Sequence, residues 1–185
     1  MTVKEGVRII ALDDGPFTRS SETALVVGIV GRKGTIEGAI SFRVDVDGSD
    51  ATDKLAGALR KSRFLKQIKV AFLNGILLGG LNVVDICKIN DSLHIPVIAL
   101  TRKMPHMRML KDAIAKSGKG AGKKFEMLDG IERKSGLKRV GKYYARYVGI
   151  GESDIRMLIG EGAELLRIAH IVASGVASGE SKGRM

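Results

Sequence analysis

Residues 7–12, VRIIAL, form an almost unbroken apolar run, the pattern of a strand buried on both faces. TALVVGIVGR at 23–32 is rich in β-branched residues and predicts a second strand. GTIEGAISFRVDVDG at 34–48 alternates strictly. Ile36, Gly38, Ile40, Phe42, Val44 and Val46 lie on one side, and Glu37, Ser41, Arg43, Asp45 and Asp47 on the other, as expected of a half-solvated strand. The RKG link between the second and third strands is of hairpin length. A helix is predicted over 48–64, with Leu55, Ala58, Leu59 and, further on, Phe64 on one face. A strand follows at 68–75, a helix at 81–93 through Val83, Ile86 and Ile89, and a buried strand at 95–101. Helices are expected near 106–117 and 122–135 and a short strand at 142–149. One or two helices then cover 153–175, with Ser153 or Asp154 as N-cap.

Hairpins followed by strand–helix–strand units describe an α/β chain. Its mixed sheet has three antiparallel strands, then parallel strands, and is flanked by helices. There is no internal repeat and no Pro- or Ser-rich linker, so residues 1–185 read as one domain. The tail at about 178–185 is polar and expected to be loose, and SGKGAGKK at 117–124 is the best candidate for a mobile loop.

Charge sharpens this picture. The chain carries a formal net charge of +11. Between Thr101 and Arg146 there are 14 Lys and Arg against 4 Asp and Glu, so this basic helical segment holds nearly all of the excess. A polyanionic partner is implied, nucleic acid before an anionic membrane surface, against the simpler reading of a solvated basic face. The absence of tryptophan and an aromatic content of 4% argue against a base-stacking platform. The longest uncharged stretch, residues 70–84, is too short to span a bilayer, so no membrane partner is expected. A single cysteine, Cys87, and the lack of a signal peptide point to a cytoplasmic protein. A homodimer stays open.

Neither GIVGRKG nor GKGAGKK has phosphate-loop spacing. The histidines His94, His106 and His170 lie far apart, and His170 reads as a packing residue of the last helix, not a ligand. Carboxylates are the better prospect. Asp13 and Asp14 end the first strand, Asp45 and Asp47 the third, Asn74 ends the fourth, and Asp85 follows shortly after. Beside a central first strand these positions converge, and an oxygen-only set suits Mg²⁺ or Mn²⁺, which would activate water for phosphodiester hydrolysis. The plain alternative is turn chemistry, since Asp-Gly-Pro is a good turn. In the basic segment Arg102, Lys103, Lys123 and Lys124 are the expected backbone contacts to nucleic acid. Gly79, Gly80 and Asn82 are placed where a backbone approaches an extruded nucleotide closely, or simply form a turn.

The strand–helix succession is that of the ribonuclease H-like fold. IIALDDGPF, VDGSDATDKL, FLNGILLGGLNVVDI, IPVIALTRKMP and LLRIAHIVASGVASGESKGR, in this order over about residues 6–184, resemble the archaeal endonuclease dU family, a relative of endonuclease V. The resemblance implies a metal-dependent DNA-repair endonuclease acting on DNA, in preference to RNA, that contains deaminated bases such as deoxyuridine. It makes Asp13 the first-strand metal ligand and Asp14 a second, with Mg²⁺ or Mn²⁺ as cofactor. Asn74-Gly75 stands where endonuclease V has Asp-Gly. The glutamate after the third strand has no counterpart, leaving Asp47 or Asp50 to substitute, and Ile150 stands at a late metal-site position. Asp13, Asp14 and Asp47 are thus the expected catalytic set, and Asp13, Asp14, Asn74 and Asp85 the expected metal set. The alternatives are a nucleic-acid-binding protein without catalysis and a protein-interaction module.

Overall fold

The structure, a computed structural model, describes residues 6–18 and 20–181. Strands β1 (Arg8–Asp14), β2 (Thr23–Arg32) and β3 (Thr35–Asp45) form an antiparallel meander. Helix α1 (Ala51–Lys61) leads to β4 (Ile68–Asn74). Two short pieces follow, β5 (Leu77–Leu78) and β6 (Asn82–Val83), which pair with each other. Then come α2 (Ile86–Leu93), β7 (Val97–Thr101), α3 (Met107–Ser117), α4 (Ala121–Lys134), β8 (Lys138–Val140), β9 (Tyr143–Val148) and α5 (Glu152–Ser178). The main sheet runs β3-β2-β1-β4-β7-β9-β8. β1, β4 and β7 are parallel, and β9 returns antiparallel to β7. This is the mixed sheet of antiparallel and then parallel strands that the element succession predicts, in ribonuclease H-like order, and it places β1 in its interior.

Alternation along β1 divides the core in two. Ile10 and Leu12 join Leu55, Ile86, Ile114 and Leu128 of α1–α4 on one face. Ile9 and Ala11 join Ile155, Leu158, Leu165 and Leu166 of α5 on the other. One helix therefore covers a whole face of the sheet. Apolar residues accordingly recur through residues 153–175, which form a single helix.

Several boundaries differ from the sequence reading. The helix expected at 81–93 begins only at Ile86, because Val83 and Val84 are fully buried and Asp85 is the N-cap, accepting from the N–H groups of Cys87 and Lys88. The last helix is capped by Gly151, whereas Asp154 lies buried within its first turn. The third strand stops at Asp45, after which a turn with Asp47 at φ +54° leads into α1. The sequence gives no sign of β8, a strand of three residues. Of the tail at 178–185, residues 182–185 lie outside the described residues. Of SGKGAGKK, only residues 118–120 connect the two helices, since Ser117 ends α3 and Ala121 to Lys124 open α4.

Candidate functional site

Parallel strands end on the same side of a sheet, and here that geometry gathers the polar residues. Leu12 pairs with Leu73, so the next residues, Asp13 and Asn74, lie side by side. Asn74 Nδ2 donates to both oxygens of Asp13, at 3.3 and 3.2 Å, and the Asp14 N–H donates to Asp13 Oδ1 at 3.0 Å. His170 of α5 completes the group, its Nδ1 3.1 Å from Asp13 Oδ2. The helix sits close enough because the residue after the two aspartates is Gly15. A Cβ there would lie 2.6 Å from the Ala173 carbonyl oxygen of α5.

Asp13 is only 2% exposed. Burial, and then repulsion from Asp14, push its carboxyl up to about 8, against the pull of the Asp14 N–H and Asn74. Asp14 is also raised, chiefly by burial, and is held down by the Gly79 N–H, which donates to its Oδ2 at 2.8 Å.

Gly79 connects this group to a second one. Its carbonyl accepts from the Asp47 N–H at 2.8 Å, and Asp47 Oδ1 accepts from the Leu81 N–H at 2.8 Å. Gly80 (φ +85°) lies against that carboxylate: a Cβ would come 2.4 Å from Asp47 Oδ1, so the turn excludes any side chain there. Asn82 is fully buried, accepting from the Ala51 N–H and donating to the Asp45 carbonyl and to Asp50. Asp50 in turn accepts from the Asp45 N–H. Lys124 is buried as well, and its ammonium donates to the Asp47 carbonyl at 2.7 Å. Burial lowers its pKa.

The expected residues thus fall into groups. Asp13, Asp14 and Asn74 converge. Asp47 is linked to them only through Gly79 and anchors the 79–81 turn. Asp85 is spent on capping α2. Asn82 and Lys124, expected to face nucleic acid, are instead buried supports of the loop between β3 and α1, since their polar ends are used up by backbone partners. Lys123 is exposed, but donates to the Ser49 carbonyl at 3.3 Å. Arg102 and Lys103 are exposed and line a cavity of about 360 Å³ that reaches Asn74. His170 is the residue that sequence reading misassigned as packing. Only the α5–β1 contact identifies its position as facing Asp13.

Among the described residues, no three His, Cys, Asp or Glu side chains gather as a metal-holding set. The donors at Asp13 are nonetheless of the right kind for a hard cation: its own buried carboxylate, the half-buried Asp14 carboxylate and the exposed amide of Asn74.

A profile of the Endonuclease dU family matches residues 5–177. The chain belongs to that family. Two endonuclease dU relatives, each named UPF0215 protein, cover nearly its whole length. That of Methanothermobacter thermautotrophicus is 36% identical over 198 residues, 98% of this chain and 93% of its own. That of Archaeoglobus fulgidus is 35% identical over 184 residues, 96% of this chain and 97% of its own. A crystal structure of a protein of unknown function from Archaeoglobus fulgidus superposes with a TM-score of 0.83 at 33% identity, over 92% of this chain and 98% of that one. The catalytic domain of human endonuclease V matches 54% of this chain and 46% of its own at 16% identity, with a TM-score of 0.39.

Proposed function

We propose that this endonuclease dU family member is a divalent-metal-dependent endonuclease that cleaves DNA containing deaminated bases such as deoxyuridine. The observation that carries the reading is the Asp13 carboxylate, buried at the end of the central strand beside Asp14, Asn74 and His170. A carboxylate held out of water next to a like charge favours a bound cation or proton over the free anion. Asp13 and Asp14, with Asn74 as a neutral oxygen donor, would hold Mg²⁺ or Mn²⁺. When bound, such an ion supplies a water activated for attack and stabilises the leaving oxygen of a phosphodiester. Asn74 fixes the Asp13 carboxylate through both oxygens, and His170 stands where it can orient Asp13 or move a proton at its Oδ2. Gly79 sets the Asp14 carboxylate through its N–H. Arg102 and Lys103, beside Asn74, would hold the phosphodiester backbone.

The test uses a labelled duplex with a single deoxyuridine, incubated with purified protein and Mg²⁺ or Mn²⁺. The reading expects cleavage near the lesion, abolished by chelation and by Asp13→Ala. A neutral Asn74 in place of a third carboxylate favours a second reading, a nucleic-acid-binding protein that does not cut. In the same assay it gives salt-sensitive binding without nicking.

A further inference from the structure

A second concavity lies away from the aspartates. It is a cavity of about 540 Å³ between the β8–β9 hairpin and the outer flank of α5. Four of its lining side chains are cationic, Arg102, Lys142, Arg156 and Arg167, against one acidic residue, Glu164. It shares Arg102, Tyr143 and Ala163 with the smaller cavity that ends at Asn74. The two therefore adjoin, and together they form a channel, basic at its outer part, whose inner end is Asn74, the partner of Asp13.

We infer that this channel seats the phosphodiester backbone of the nucleic acid as it passes to or from the Asp13 site, with Arg156 and Arg167 gripping phosphates. The inference rests on the reading of that site as one that cleaves nucleic acid. Arg156, Gly160, Ala163 and Arg167 recur at spacings of four, three and four, which places them on one flank of α5. At 1.5 Å per residue their backbone positions stand about 16 Å apart along the helix, room for a few nucleotides of one strand. The small side chains between them leave the floor open. Both arginines are paired only with partly exposed glutamates one turn away, Glu152 and Glu164. Such pairs contribute little and exchange readily for a bidentate phosphate contact. At the inner end, Thr101, Arg102 and Lys103 line the smaller cavity beside Asn74. In the α3–α4 segment part of the basic charge is occupied within the fold. Its Lys124 is buried, and Lys111 is paired with Asp129. The sequence's charge count had pointed to that segment as a whole. The fold joins only Arg102 and Lys142 of the basic segment to arginines of α5, which lies outside it.

The inference is tested by fluorescence anisotropy with a labelled oligodeoxynucleotide carrying one deoxyuridine, titrated at several salt concentrations. The paired substitution Arg156→Gln with Arg167→Gln is compared with Lys116→Gln with Lys119→Gln, exposed positions on the α3 side, and with Arg156→Lys and Arg167→Lys. Unchanged circular dichroism and melting confirm that the variants fold. The glutamine pair on α5 is expected to weaken binding about tenfold and to flatten the plot of log affinity against log salt by about 1.5. The α3-side pair should match the wild type, and the lysine pair should retain the salt slope. If the wild type binds while the α5 pair behaves like it, or the α3-side pair loses as much, the channel is refuted and the reading of Asp13 stands. Preference for anionic vesicles over the oligonucleotide also refutes it. Failure of the wild type to bind any nucleic acid at low salt removes both.

Discussion

Asp13 is pulled in two directions. Its place at the end of a fully buried strand takes its carboxylate out of water, while Asp14 beside it adds a second negative charge. The folded state therefore holds the Asp13 proton far more tightly than the unfolded chain does, up to about 8 against 3.8. Between those values the unfolded state binds fewer protons than the native one, so stability falls as pH rises. This contribution is fully present below 3.8 and is lost as pH passes through about 8. Urea denaturation at pH 5 and pH 9 is expected to give the metal-free protein a lower midpoint at the higher pH, and Asp13→Asn should reduce that difference. Mg²⁺ or Mn²⁺ should raise the melting temperature of the wild type at pH 9, since a ligand of the native state alone stabilises it. Asp13→Asn should show little of this gain. At this scale the sequence was informative about Asp13 and Asn74, which end strands that are easy to read. It was silent on His170, because 157 residues separate it from Asp13 and only the docking of α5 joins them.

Among the elements, the strands β1 to β3 and the helices on either side were legible because their burial is set by local periodicity. The stretch between β4 and α2 was not. Residues 75–85 fold as a tight double turn whose form depends on distant partners: Asp14 on Gly79, Asp47 on Leu81, and Asn82 on Ala51 and Asp45. Val83 and Ile86 fall at helical spacing there, but the helix begins only where Asp85 caps it. Asn82 is central to this knot. Asn82→Ala leaves the Ala51 N–H and the Asp45 carbonyl without their buried partner, and is expected to cost about 2 kcal/mol or more, read as a drop in the urea midpoint. Lys124→Met tests the same knot from α4. It removes a buried ammonium together with its bond to the Asp47 carbonyl, and should destabilise less than Lys124→Ala, which also leaves a cavity.

For the molecule as a whole, the net charge of +11 is a better guide to the kind of partner than to its place. Much of the basic segment is occupied internally. Arg146 is buried, donating to the Ser135 carbonyl and to Glu132, Lys111 is paired with Asp129, and Lys124 holds a loop. What reaches the solvent near the strand ends is a smaller set, Arg102 and Lys103 at the mouth of the Asp13 site, joined by the arginines of α5. Charge counting along the chain cannot see this division, because helix α5 lies outside the basic segment and meets it only in three dimensions. The central claim is that Asp13 and its neighbours cut a phosphodiester. A gel assay with a deoxyuridine duplex and Mn²⁺ or Mg²⁺ tests it most directly, comparing wild type with Asp13→Asn, which preserves the shape of the site. The account predicts metal-dependent cleavage by the wild type and a loss of at least about a hundredfold in the variant. No cleavage by folded wild-type protein with either metal, or equal cleavage by Asp13→Asn, would contradict it.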